Sequence, residues 1–123
     1  MTTRELSAGE WKTFFDCFSR RFHGRPVTVD QSDAPEGRAD TVARQLPLIG
    51  VTLEPSVGNA ELIAIMMGES RENVVHVVRG PSRVRVAQLS NGEDEMLLID
   101  SSAGATTRID FRSAKEAGPV QSV

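Results

Sequence analysis

The sequence predicts an α+β domain. One N-terminal helix packs on a strongly twisted, partly closed antiparallel meander sheet of about seven strands, small-barrel-like in shape. Three observations carry this. Aromatic residues near the N-terminus recur at helical spacing. Past Pro26 the apolar period drops from 3.6 to 2. The apolar runs that follow are joined by short Gly-, Pro- and Asn-bearing stretches, which suit antiparallel neighbours and are too short for parallel crossovers.

The helix is expected over residues 8–23. Trp11, Phe14, Phe15, Phe18 and Phe22 fall within an arc of roughly 100° at 3.6 residues per turn, a single apolar stripe. Ser7 and Glu10 have capping-box spacing, and Leu6 and Trp11 are placed for a hydrophobic staple. Arg20 and Arg21 suit the negative end of the helix dipole, Gly24 a left-handed C-cap, and Pro26 stops the helix. Five of the six aromatic residues lie on this segment, and Phe111 is the sixth. So much ring surface cannot be left in water.

Strands are expected within 26–31 and 48–112. Val27 and Val29 alternate with polar residues, after which 31–45 turns polar and reads as a mobile loop. Ile49, Val51 and Leu53 share one face. The run Glu-Leu-Ile-Ala-Ile-Met-Met from Glu61 is apolar on both faces, so it belongs in the middle of the structure. Val74–Arg79 is broken by Gly80-Pro81, and the next run places Val84 and Val86 inward, Arg83 and Arg85 outward. In the following strand Met96 and Leu98 oppose Leu97 and Ile99. That two-sided pattern calls for barrel closure or a homodimer to cover Leu97 and Ile99. The last strand turns Thr107, Ile109 and Phe111 inward and Arg108, Asp110 and Arg112 outward. Residues 1–112 are expected to form one domain, and 113–123 a disordered tail.

Composition narrows the partners. The chain has 123 residues, a formal net charge of -3 and a pI near 5.4. Basic and acidic residues are spread evenly, without the footprint of a general nucleic-acid binder. No apolar run approaches the 18 residues of a membrane span, and the N-terminus has no signal-peptide core. Cys17 is the sole cysteine, so no internal disulfide can form. A cytoplasmic location without membrane contact is expected.

The stretches Trp11-x-x-Phe14-Phe15-Asp16-x-Phe18-Ser19-Arg20 and Leu46-Pro47-Leu48-Ile49-Gly50 resemble a family of small bacterial proteins known as a domain of unknown function. The similarity runs from about residue 3 to 112. It implies a bacterial, soluble, single-domain protein and carries no activity, cofactor or site residue with it.

Chemical signatures are sparse. Cys17, His23 and His76 lack metal-ligand spacing, so no metal is expected. Cys17 lies about 120° from the ring stripe and reads as a half-buried small residue. His23 beside the helix C-terminus reads as a capping group. No nucleophile elbow or phosphate loop is present, so no cofactor or catalytic residue is assigned. The carboxylate pairs sit in turns, where they are solvated. One constellation stands out: Arg79, Arg83 and Arg85 around Gly80-Pro81, able to hold an anionic ligand or a protein partner, or else to pair with Asp110 or Glu95. The leading expectation is a non-enzymatic binding module using this Arg-bearing face. A second is a small-molecule site or modest enzyme in the sheet interior near His76. A third, RNA binding by a small barrel, lacks exposed aromatic residues for base stacking.

Overall fold

The computed structural model describes residues 2–33, 38–55, 61–69, 72–88 and 94–111. The chain begins with β1 (Thr2–Leu6), a short 3-10 turn (Ala8–Glu10) and α1 (Trp11–Phe22). Seven strands follow: β2 (Pro26–Asp33), β3 (Arg38–Pro55), β4 (Glu61–Glu69), β5 (Glu72–Arg79), β6 (Pro81–Gln88), β7 (Asp94–Ser101) and β8 (Ala105–Asp110). They form one eight-stranded sheet of order β1-β6-β7-β8-β2-β3-β4-β5, with every neighbouring pair antiparallel.

The α+β class holds, with three corrections. The sheet has eight strands. The extra one, β1, leaves four of its five residues exposed and buries only Leu6, so it carries no alternating apolar signal. The sheet is open, with β1 and β5 as its edges, rather than partly closed. It also comprises two meanders, β2–β5 and β6–β8, joined through the β8–β2 ladder; the consecutive strands β5 and β6 are not neighbours.

The polar stretch 31–45 is strand wherever it is described, not loop. Residues 31–33 end β2 and 38–45 open β3, paired from Asp30↔Thr41 to Asp33↔Arg38. Since β8 pairs the other edge of β2, its backbone groups are satisfied on both sides whatever its side chains. The apolar signal is weak there because Asp40, Thr41, Arg44 and Gln45 are exposed. The tail 113–123 lies outside the described residues.

The helix begins later than its capping motif suggests. The Ser7 side chain makes no cap bond; instead the Glu10 N–H donates to the Ser7 carbonyl at 2.9 Å, closing the 3-10 turn. β1 holds Ser7 on one side and the turn satisfies the first donors on the other, so the box has no work left. The staple does form: Leu6 and Trp11 are buried, and Trp11 Nε1 donates to the Leu6 carbonyl at 3.3 Å. At the other end Gly24 adopts φ +83°, and its N–H donates to the Leu48 carbonyl at 2.8 Å, tying the helix exit to β3.

The ring stripe faces inward. Phe18, Phe22 and Phe111 form a triangle with centroid separations of 4.8, 5.2 and 4.5 Å. Ser19 then fixes α1 on β3. Its hydroxyl donates to the Val51 carbonyl at 3.1 Å and accepts from the Val51 N–H at 2.8 Å.

β3 serves both halves of the sheet and must bend to do so. Its register against β2 slips near Val29, and Gln45 sits at φ +53°. The backbone N–H and Nε2 of Gln45 both donate to Thr28 Oγ1 at 3.2 Å, which holds the bulge. Beyond it, Leu48 onward pairs with β4. The bend carries β4 toward β6 and β5 toward β7 across the interior. Leu97 and Ile99 are therefore fully buried by the chain itself, and Met96 and Leu98 are the half-buried outward pair. The residues that motivated a homodimer need no second copy to cover them.

The chain passes from β5 to β6 through Gly80 alone. It turns with φ +60°, its N–H donates to the Glu61 carbonyl at 3.1 Å, and its carbonyl accepts from the Ser102 N–H at 2.8 Å. A Cβ here would stand 2.7 Å from Ser102 Oγ, a hydroxyl that could rotate away, so it is the conformation that calls for glycine.

Replacing Phe18 by Ala removes the ring that bridges α1 and Phe111. A loss of about 3–5 kcal/mol is expected in urea denaturation at constant slope. A loss below about 1 kcal/mol would show that the helix is not docked through its rings.

Candidate functional site

The outward Arg83 and Arg85 lie beside one carboxylate. Asp100 stands directly across from Arg83 in the β6–β7 ladder. It accepts from Arg83 Nε at 2.8 Å, from Arg85 Nη2 at 3.1 Å on both oxygens, and from Thr106 Oγ1 at 2.7 Å. Asp100 is thus a partner of both guanidinium groups. Burial pushes the Asp100 carboxyl upward, but the Thr106 and Arg83 hydrogen bonds and the two guanidinium charges outweigh it and hold the group below its ordinary range. Arg83 is raised in turn by its hydrogen bond and charge contact with Asp100. Two strands on, Arg108 donates to Asp30 at 3.0 Å. Glu5 of β1 stands across from Arg85. The outer face of β1, β6, β7, β8 and β2 is therefore a lattice of alternating charge, with Arg83 and Arg85 both tied to a carboxylate.

Arg79 lies elsewhere. It ends β5, and the recess it lines opens between β5 and the β7–β8 turn. The recess has a volume of about 260 Å³. Its polar lining is Gln31, His76, Arg79, Ser101 and Thr107; its apolar lining is Val77, Val78, Ala103 and Ala105. Strand alternation puts Val74, His76 and Val78 on the inner side of β5, leaving Val75 58% exposed on the other. His76 Nε2 shares a hydrogen bond with Thr107 Oγ1 at 3.3 Å across the interior. Thr107 is 2% exposed, the one buried polar side chain among the described residues. Ser101 Oγ donates to the Arg79 carbonyl at 2.9 Å and accepts from the Ala103 N–H at 3.1 Å, which sets the rim. Burial lowers the His76 pKa and so favours the neutral imidazole.

The sequence candidates thus divide. Arg83 and Arg85 belong to the outer lattice, while Arg79 and His76 meet at the recess. Asp100 and Gln31 were not legible as participants. Asp100 reads only as the end of an apolar strand, and Gln31 as loop; register supplies the missing signal. The remaining candidates lie apart. Cys17 is exposed, not half-buried; the Arg20 guanidinium donates to its sulfur at 3.7 Å. It lines a groove of about 460 Å³ between α1 and β3 with Asp16, Arg20, Ile49 and Met66. His23 is exposed just past the helix end. Among the described residues no group of three or more His, Cys, Asp or Glu could hold a metal ion, and no helix is long and apolar enough to cross a membrane.

Fold and recess together define a small α+β protein built on one open, curled antiparallel sheet. The profile of a family of unknown function, DUF5335, matches residues 2–120, and the chain belongs to that family. No curated protein and no solved structure matches it.

Two pH effects follow. The lowered pKa of Asp100 adds stability that is present above about pH 4 and is lost as pH falls through its folded value. Asp100→Asn should flatten that acid limb in urea titrations and lower stability at pH 7 by about 1–3 kcal/mol. Burial of His76 acts in the same direction with pH, at a higher range, because it favours the neutral ring. Its contribution is complete above its unfolded value, about 6.5, and falls as acidification drives protonation. The stability slope between about pH 6.5 and 5 should shrink in His76→Gln, whereas an unchanged slope would assign it to other groups.

Proposed function

We propose that this protein is a non-enzymatic binding module whose site is the recess holding His76, Arg79 and Thr107. The observation that carries the reading is the half-buried His76 imidazole, hydrogen-bonded to Thr107, at a recess whose lining includes Val77, Val78, Ala103 and Ala105. Few polar groups over apolar walls is the usual make-up of a ligand site. A volume of about 260 Å³ suits a ligand of on the order of ten non-hydrogen atoms.

Binding rather than catalysis is favoured by the partners of His76. Thr107, at 2% exposure, is too buried to offer its hydroxyl to a substrate, and among the described side chains no carboxylate lines the recess to orient the imidazole as a base. The Arg83–Arg85 face is the less favoured contact surface, because Asp100 already occupies both guanidinium groups. RNA binding ranks last. The rings a base would stack on are committed to the core, with Phe14 half-buried and the other five buried. A bacterial, cytoplasmic setting remains part of this proposal.

Ala105→Leu tests the site by filling the recess without altering its polar groups. A metabolite library screened by thermal shift should give hits on the wild-type protein that vanish in the variant, while the variant's own melting temperature stays within a few degrees of wild type. Hits that persist unchanged in Ala105→Leu would place binding elsewhere.

A further inference from the structure

We infer that the outer face of β3–β5 is the interface of a symmetric homodimer, in which Val75 of each copy enters the α1–β3 groove of the other and Arg79 of each pairs with Glu54 of the other. The recess and its occupant play no part in it. β4 is apolar on both sides. Ile63, Ile65 and Met67 point inward and are buried by the chain itself. The alternate residues Leu62, Ala64 and Met66 form the central column of the outer face, and Leu62 and Met66 are only half-buried there. Register sets three rows across the face: Glu54–Leu62–Arg79, Thr52–Ala64–Val77 and Gly50–Met66–Val75. Among the described residues only two large apolar side chains are exposed, Ile49 at 38% and Val75 at 58%, and both border this face.

The two sides of the β4 column are unlike, and each complements the other. On the β5 side Val75 projects and Arg79 is exposed. On the β3 side Gly50 has no side chain, and the groove of about 460 Å³ lies beside it, lined by Ile49, Met66 and Cys17. Glu54 is exposed at the end of that side, where Thr52 Oγ1 donates to its Oε2 at 2.9 Å. A two-fold axis along β4, between two such faces, exchanges the β3 and β5 sides and keeps each row opposite itself. Val75 then faces the groove of the second copy and Arg79 faces its Glu54, on both sides of the axis. Leu62, Ala64 and Met66 lie along the axis against their own copies. Aligned packing of two sheets, about 30° apart, holds the rows within reach. An unrelated protein would have to present both complements in this order, whereas a second copy does so by symmetry. At about 4.8 Å per strand and about 6.8 Å per row, the rows span only about 10 by 14 Å between centres, so even with the flank of α1 the interface is small. The dimer is therefore weak, with a Kd on the order of 10–100 µM.

Analytical ultracentrifugation of the full chain from about 1 µM to about 1 mM reads the oligomeric state. The chain should pass from monomer to dimer and no further, because a two-fold contact closes on itself. Val75→Glu, at an exposed position, should weaken dimerisation about tenfold or more while the melting temperature stays within a few degrees of wild type. Arg79→Glu or Glu54→Arg alone should also weaken it, because each sets like charges opposite one another. An equimolar mixture of Arg79→Glu and Glu54→Arg chains should dimerise again, since opposite charges then face each other between unlike copies. A chain that stays monomeric at about 1 mM overturns the inference and leaves the face to a different protein. A dimer that Val75→Glu leaves intact, or a mixture that gains nothing over its separate chains, overturns it too, because the contacts then lie elsewhere. None of these failures touches the recess, whose thermal-shift test is independent of association.

Discussion

A sheet curled this far has a concave side that only large side chains can fill, and the rings of α1 fill it. Phe15 and Phe18 are buried on the helix, and Phe18 and Phe22 close on Phe111 at the end of β8. Each buried ring removes about 150–250 Å² from water, worth about 4–6 kcal/mol as an upper bound. Without that contact the inner faces of β3 and β8 would be left wet, and the curl that opposes β5 to β7 would have no interior to enclose. The polar ties are secondary but directional. The Ser19–Val51 pair and the Gly24–Leu48 bond decide where along β3 the helix sits.

The recess is a by-product of how the two meanders meet. Gly80 lets the chain leave β5 and enter β6 at the far side of the sheet, without a loop between. An open edge at β5 is thereby laid beside the β7–β8 turn instead of being sealed by a ladder. Where a closed barrel would bury or pair His76, the open curl leaves it half-buried beside Thr107. Edge exposure of this kind invites unwanted pairing. Here β5 ends in Arg79, an exposed charge on the edge strand.

Legibility followed locality. The helix, its Leu6–Trp11 staple, the Gly24 exit and the inward faces of β6 and β8 could all be read from spacing, because each depends on residues within a turn or on strict alternation. β1 and the β2–β3 hairpin could not. β1 pairs with β6, distant in the chain, and four of its five residues are exposed, while residues 31–33 and 38–45 pair locally without any apolar alternation to mark them. The site behaved the same way. His76 and Arg79 were recognised as candidates, and the inward direction of Thr107 was legible, but their meeting was not. Arg83 and Arg85 looked available because Asp100 becomes their neighbour only through the β6–β7 register.

From the chain alone came the class of the fold, the ring-bearing helix as its anchor, and the short list of groups able to do chemistry. These rest on periodicity and on the cost of exposing apolar surface, which are properties of short segments. Tertiary structure decided which strands are edges, which charges neutralise one another and which stay exposed at an edge. Those depend on register and curvature, where displacing a strand by one residue exchanges its inner and outer faces, and neither is written in any single segment.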